Sequence, residues 1–282
     1  MAVHTGAVVV GYDGSTEGGL AVDWSAAEAS RRGKPLVVLH AAAYRQPNVV
    51  LAGTDGLRSE VREASQKVAE EGAERARKSA TGITVEAKAD LRGAPAAMQE
   101  LSNEAALVVV GNRGFGRVKG VLLGSVAFAV SAHANSPVVV VRGEADSLPG
   151  PSRPIVVGVD GSAGSNVAVD HAANVAAQVG AELHVVAAWE PPQPHPWSTS
   201  EYRTAAEFAE QAAEGVSIQH PGLVVQQSVP EGRPELVLAE ASSEAGLVVV
   251  GARGRGDLAS LLLGSVSRGV IHRSECPVEI IR

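Results

Sequence analysis

The sequence predicts an α/β protein made of two tandem doubly wound domains, each with a five-stranded parallel sheet. Three observations predict it. The chain is 282 residues long and repeats its own motifs from the first half to the second. Runs such as Leu107-Val108-Val109-Val110 and Leu247-Val248-Val249-Val250 are continuously apolar, as strands buried on both faces of a parallel sheet are. Longer segments with helical patterning lie between these runs, so strand and helix alternate along each half.

The repeat fixes the architecture. Val8-Val9-Val10-Gly11-Tyr12-Asp13-Gly14-Ser15 returns 147 residues later as Ile155-Val156-Val157-Gly158-Val159-Asp160-Gly161-Ser162. The offset is still 147 between Leu36 and Leu183, is 139 between Gly93 and Gly232, and is 140 from Leu107 to the end. One connection, between the second strand and the third, therefore took up the change in length, as a tolerant loop on a shared scaffold would. Strands are expected at 7–11, 36–42, 83–89, 107–111 and 137–142, with helices at 16–32, 57–80, 95–104 and 123–134. The second half reads as strands at 154–159, 182–188, 223–229, 247–251 and 277–281, with helices at 163–179, 200–217, 234–245 and 263–274. Pro95 and Pro234 suit first-turn positions, where a missing N–H is harmless. Gly33 and Gly180 follow the first helices as C-caps do.

The first domain is assigned to residues 1–143 and the second to 154–282, joined by the Pro- and Gly-rich segment 143–153. The Pro-rich stretch 191–197 belongs to the variable connection and reads as a stiff loop; a polyproline ligand is the other reading. The last strand of each half, Pro137 to Val141 and Pro277 to Ile281, is apolar and should be an edge, blunted only by its leading proline and, in the second half, by Glu279. Cover for these edges is expected from pairing of the two halves or from a second copy, as a homodimer.

Composition narrows the function. Apolar residues make up 45% and aromatics 3%, so the cores must be built from Val, Ala, Leu and Ile. A net charge of −7 argues against nucleic acid as a partner, because phosphate contacts need a basic face. No apolar run approaches the ~18 residues of a membrane span, and the start lacks a signal-peptide pattern; a soluble cytoplasmic protein is expected. Cys276, the single cysteine, reads as a small buried apolar residue.

The chemistry concentrates in a motif that occurs twice. Gly111-Asn112-Arg113-Gly114 is followed after nine residues by Gly124-Ser125-Val126, and Gly251-Ala252-Arg253-Gly254 at the same spacing by Gly264-Ser265-Val266. In an open α/β sheet, ligands bind beyond the carboxyl ends of the strands where strand order reverses. Asp13 and Asp160 end the first strands and the glycine loops end the fourth, so one crevice per half would gather both if these strands flank the switch point. Gly111 and Gly114 would let the backbone turn and approach a ligand, and the helix opened by Gly124-Ser125 would favour an anion. Ordinary turn glycines with a serine N-cap are the bland alternative; the repeated spacing favours the cradle. The chain carries no G-x4-G-K-[ST] loop and no G-x-S-x-G elbow. Gly114-Phe115-Gly116 with Gly120 has the wrong spacing for a dinucleotide fingerprint, and Gly120 becomes Ser260. His171 reads as a surface residue, and Trp24, Trp189 and Trp197 as packing or loop residues.

Asp after the first strand, with G-x2-G-x9-G-[ST] after the fourth, resembles the universal stress protein family in its ATP-binding, tandem-domain form. The resemblance covers nearly the whole chain. It implies an adenine nucleotide alpha hydrolase-like fold, with strand order 3-2-1-4-5, and ATP as ligand, with or without Mg²⁺. It implies that Tyr12, Asp13 and Ala41 border the adenine and ribose, with Val159, Asp160 and Ala188 in the second half, and that Gly11 and Gly158 belong to the same nucleotide sites. Gly111, Arg113 and Gly114, with Gly251, Arg253 and Gly254, would wrap the ribose and phosphates. Gly124, Ser125 and Val126, with Gly264, Ser265 and Val266, would hold the phosphates. Ser267 would add a phosphate donor that Ala127 lacks, so the first site is expected to grip phosphate less. Asp13 and Asp160 serve either the nucleoside, or a phosphate-bound Mg²⁺, or only an Asx-type cap.

Three functions stay open at this point. The leading one is a nucleotide-dependent regulator in a stress or growth-state response, with a protein partner the sequence does not name. A slow ATPase or nucleotidyl transferase is second, since the sequence shows phosphate contacts but no evident base. A nucleotide-independent interaction protein is third.

Overall fold

A computed structural model of the chain describes residues 5–43, 54–114, 123–143, 148–191, 200–255 and 263–282. The chain divides into two units, Met1–Val141 and Arg142–Arg282. In the first unit the elements run β1 (Val8–Gly11), α1 (Thr16–Arg32), β2 (Leu36–Ala41), α2 (Thr54–Ser79), β3 (Val85–Asp90), α3 (Ala94–Leu101), β4 (Leu107–Gly111), α4 (Ser125–His133) and β5 (Val138–Val141). In the second they run β6 (Ile155–Gly158), α5 (Ala163–Val179), β7 (Leu183–Val186), α6 (Ser200–Gln219), β8 (Val225–Ser228), α7 (Pro234–Ala241), β9 (Leu247–Gly251), α8 (Ser265–Arg273) and β10 (Val278–Ile281).

All strand pairs within each unit are parallel. β1 lies between β2 and β4, with β3 beyond β2 and β5 beyond β4. β6 lies likewise between β7 and β9, with β8 and β10 outside. The register sets Val8 beside both Leu36 and Leu107, and Ile155 beside both Leu183 and Leu247. Strand order therefore reverses between β1 and β4 and between β6 and β9. In the first unit α1 packs with α2 and α3 with α4, giving the two outer layers of a doubly wound fold.

The caps follow the local chemistry. Gly33 and Gly180 close α1 and α5 in the left-handed region, at φ 59° and 67°, where a Cβ would be strained. Pro95 and Pro234 sit in first turns. α3 and α7 stop at Leu101 and Ala241, a few residues short of the helices expected to 104 and 245, because Ser102 and Ser242 cap them and fold their hydroxyls onto the Gln99 and Ala239 carbonyls. The central strands are buried throughout, while β3 is only half buried and β8 largely exposed.

One expectation about a single residue changes. Glu279 is 1% exposed, with its Oε1 2.9 Å from Nε2 of His171 on α5. His171 is half buried by that pairing rather than lying on the surface. A buried carboxylate requires such a partner. At the corresponding positions of the first unit stand Trp24 and Val139, both buried, so Trp24 is a packing residue. The segments 115–122, 144–147, 192–199 and 256–262 lie outside the described residues, and with them Phe115, Gly116, Gly120, Ser260, Trp197 and most of the Pro-rich stretch.

Candidate functional site

Each unit has a crevice at the carboxyl ends of its strands, at the point of reversal. In the first unit a cavity of about 570 Å³ takes in Gly11, Tyr12, Asp13, Ala41, Gly111, Arg113, Gly114, Gly124, Ser125 and Val126 in its walls. In the second a cavity of about 260 Å³ takes in Gly158, Val159, Asp160, Ala188, Gly251, Arg253, Gly254, Gly264, Ser265, Val266 and Ser267. The residues singled out from sequence thus meet in one place per unit.

Each wall has a physical origin. The Asp-Gly-Ser turn reverses the chain after β1 and β6, with Gly14 and Gly161 at φ 88° and 76°. Ser15 and Ser162 then cap α1 and α5 by accepting from the N–H groups of Gly18 and Ser165. The Asx turn is formed: Asp13 Oδ1 and Asp160 Oδ1 accept from the N–H groups of Ser15 and Ser162, both at 3.0 Å. The other carboxylate oxygen faces the glycine loop. Asp160 Oδ2 accepts from the Arg255 N–H at 2.9 Å, and a Cβ on Gly114 would run into Asp13 Oδ2. Burial works to raise the Asp160 carboxyl, but the hydrogen bonds of Ser162, the Arg255 N–H and Ser165 outweigh it and hold it below the usual carboxylate range. It is therefore an anion at neutral pH.

The loop glycines are glycine for a reason the spacing did not reveal. Neither Gly111, Gly114, Gly124, Gly251 nor Gly254 is among the glycines of positive φ. A Cβ on Gly111 would stand 2.8 Å from the Glu17 carbonyl oxygen, and one on Gly251 would stand 2.9 Å from the Gly164 carbonyl carbon. These two positions let the first turn of α1 or α5 lie directly on the end of β4 or β9. The close approach they permit is to the protein's own backbone. Gly124 differs, since its Cβ would meet nothing nearer than the Asn112 carbonyl oxygen at 3.4 Å.

The serines also sort differently from the bland alternative. The N-caps of α4 and α8 are Gly124 and Gly264, and no side chain caps either helix. Ser125 and Ser265 are the first helical residues. The opening N–H groups of both helices, which lack intrahelical acceptors, belong to residues of the crevice wall, and the helix dipole favours an anion there. Ser267 lies in the crevice wall, and its hydroxyl donates to the Gly251 carbonyl at 2.7 Å, tying α8 to the loop. What Ala127 lacks is that tether.

Sequence reasoning missed the apolar floor. Met98 and Val110 line the first crevice, Leu238 and Val250 the second. Met98 lies under Gly11, whose Cβ would be 3.1 Å from its Sδ, and Leu238 lies under Gly158. In the sequence these are apolar positions of helix and strand, indistinguishable from core. Among the described residues there is no group of three or more His, Cys, Asp or Glu able to hold a metal ion, and no helix long and apolar enough to cross a membrane.

The fold and the crevices define a tandem α/β protein with one strand-end crevice in each unit. The chain belongs to the universal stress protein family, which it matches over residues 5–142 and 151–282. It is 34% identical to a universal stress protein of Mycolicibacterium smegmatis, covering 98% of this chain and 96% of that one. It is 35% identical to a universal stress protein of Mycobacterium tuberculosis over the same shares of the two chains. Among solved structures, a universal stress protein of Archaeoglobus fulgidus has the same fold, with a TM-score of 0.73 at 21% identity, covering 99% of this chain and 98% of that one.

Proposed function

We propose that this protein binds an adenine nucleotide, ATP, in each unit and acts as a nucleotide-dependent regulator in a stress or growth-state response. One observation carries the reading: in both units an uncapped helix start, a strand-end carboxylate and an apolar floor converge on one crevice. The helix start suits phosphate, the floor of Met98 or Leu238 suits a base, and the carboxylate of Asp13 or Asp160 suits a ribose hydroxyl. Arg113 and Arg253, in the crevice walls, supply positive charge for the phosphates. A Mg²⁺ accompanying the phosphates belongs to the same proposal. Family membership supports the stress role. The apolar last strands support a homodimer, and a cytoplasmic location belongs to the same proposal.

The test is to denature the purified protein and count released nucleotides by liquid chromatography and mass spectrometry, then to titrate the emptied protein with Mg-ATP. About two adenine nucleotides per chain are expected, on the basis of one helix-terminus site per unit. No released nucleotide and no binding on titration would overturn the reading. Turnover above about 1 s⁻¹, a modest enzyme rate, would replace the regulator with an enzyme.

A further inference from the structure

The two units carry the same carboxylate at corresponding places on their first helices, Asp23 on α1 and Asp170 on α5, and treat it differently. In the first unit Asp23 is held by Arg75 of α2. Arg75 Nε donates to Oδ1 at 2.8 Å and Nη2 to Oδ2 at 2.5 Å, fork on fork, and Ser79 Oγ donates to Oδ1 at 2.6 Å. The guanidinium lies against Gly19, where a Cβ would come within 2.8 Å of Nη1.

In the second unit the arginine is gone. α2 and α6 end at Ser79 and Gln219 and the next strands begin at Val85 and Val225, so the offset of 140 holds from one to the other. Arg75 thus corresponds to Gly215, and Ser79 to Gln219. A Cβ on Gly215 would meet nothing within 4 Å. The volume is not refilled. A slot of about 230 Å³ remains between α5 and α6, with Asp170, Gly215, Asn166, Gln211, Gln219 and Phe208 in its walls. Among the described residues nothing pairs with the Asp170 carboxylate; Asn174 bonds only its backbone carbonyl. The slot is smaller than the ~300–1,000 Å³ of pockets for drug-sized molecules, and suits a single side chain or a compact cation. α6 carries Glu207, Glu210 and Glu214 along this stretch against the single basic residue Arg203, which adds negative potential. Arg255 already lies over the Phe208 ring, 4.9 Å from its centroid.

We propose that this slot binds a guanidinium group, which takes the place against Asp170 that Arg75 holds against Asp23. The planar fork of a guanidinium matches a carboxylate with two parallel hydrogen bonds, and an ammonium does not. The amides of Asn166, Gln211 and Gln219 offer acceptors for its remaining N–H groups. The guanidinium belongs either to an arginine of another polypeptide or to a small free compound.

The full-length protein, labelled with ¹⁵N, is titrated with N-acetyl-arginine amide while the Gly215 and Ala212 amide signals are followed. Saturable shifts are expected. Asp170→Asn should weaken them at least about tenfold, the loss of a charge-assisted pair, and the lysine counterpart should bind at least about fivefold more weakly, lacking the fork. Gly215→Arg, which restores the internal ligand, should abolish the response; if that variant does not fold, Asp170→Asn at an exposed position decides. No saturable shift, an unchanged response in Asp170→Asn, or equal binding of the lysine compound would overturn the proposal. A Gly-Arg-Gly peptide binding more tightly than agmatine assigns the site to a polypeptide, and the reverse order assigns it to a small guanidinium.

Discussion

Gly111 and Gly124 belong to one motif, yet their alanine variants should behave differently. At Gly111 the new methyl would stand 2.8 Å from the Glu17 carbonyl oxygen and 3.0 Å from its carbon. These are backbone atoms of the first turn of α1, so the helix start must be pushed off the end of β4. Overpacking of this kind costs about 1–3 kcal/mol. At Gly124 the nearest atoms are the Asn112 carbonyl oxygen at 3.4 Å and Arg113 Cα at 3.5 Å, ordinary contacts, and its φ of −70° is open to any residue. The loss of an N-cap glycine and the gain from a stiffer unfolded chain nearly cancel, leaving about 0.5 kcal/mol either way. Thermal unfolding followed by circular dichroism reads the difference, at about 2–4 °C per kcal/mol for a domain of this size. Gly111→Ala should melt lower and Gly124→Ala should not. An unchanged Gly111→Ala, or equal losses in both, would refute the account of why these positions are glycine. Among the described residues nothing requires glycine at 124; if the first unit binds ATP as proposed, its ATP affinity should fall in the variant that keeps its stability. Gly114→Ala is a poorer probe, because its methyl would displace the Asp13 carboxylate.

Removing His171 as His171→Ala strands the buried Glu279 and should cost about 3–5 kcal/mol in urea unfolding, whereas the paired swap His171→Trp with Glu279→Val, which copies Trp24 and Val139, should be neutral or stabilising by about 1–4 kcal/mol. Burial would raise the Glu28 carboxyl, but the hydrogen bonds and charges of Arg31 and Arg32 overcome it and hold it below the usual range. Its folded pKa lies below its unfolded one of about 4.3, so its contribution is present above that value and lost as pH falls through the folded pKa. Glu28→Gln should lower stability at neutral pH by about 1.5–3 kcal/mol and flatten the acid limb of a stability-against-pH curve. Ser267→Ala should cost about 0.5–1.5 kcal/mol and speed hydrogen exchange in the loop after β9. Cys276, buried with its thiol pushed up to about 12, should resist thiol reagents at pH 8 until the protein is unfolded.

The alternation of strand and helix, the duplication, the αL caps at Gly33 and Gly180 and the residues that meet in each crevice were all legible in the chain. Each rests on a signal carried within a few residues: a period, a cap, a glycine before a helix. The crevices could be anticipated because parallel βαβ winding puts strand ends and loops on one side whatever the side chains are. The sequence did not reveal what each of those residues touches. Gly111 reads as a ligand-facing glycine, but the atom its missing Cβ would meet belongs to Glu17, far away in the chain. The reach of the Ser267 hydroxyl to the Gly251 carbonyl is not visible in the spacing, and His171 reads as a surface residue until Glu279 is set beneath it. The emptied arginine position at Gly215 shows only when α5 and α6 are side by side. The sequence by itself determined the elements and their winding, because those depend on local backbone preference and periodic burial. Only the tertiary structure decided the contacts, because van der Waals and hydrogen-bond energies fall away within a few tenths of an ångström to an ångström, a precision that spacing along a chain does not carry.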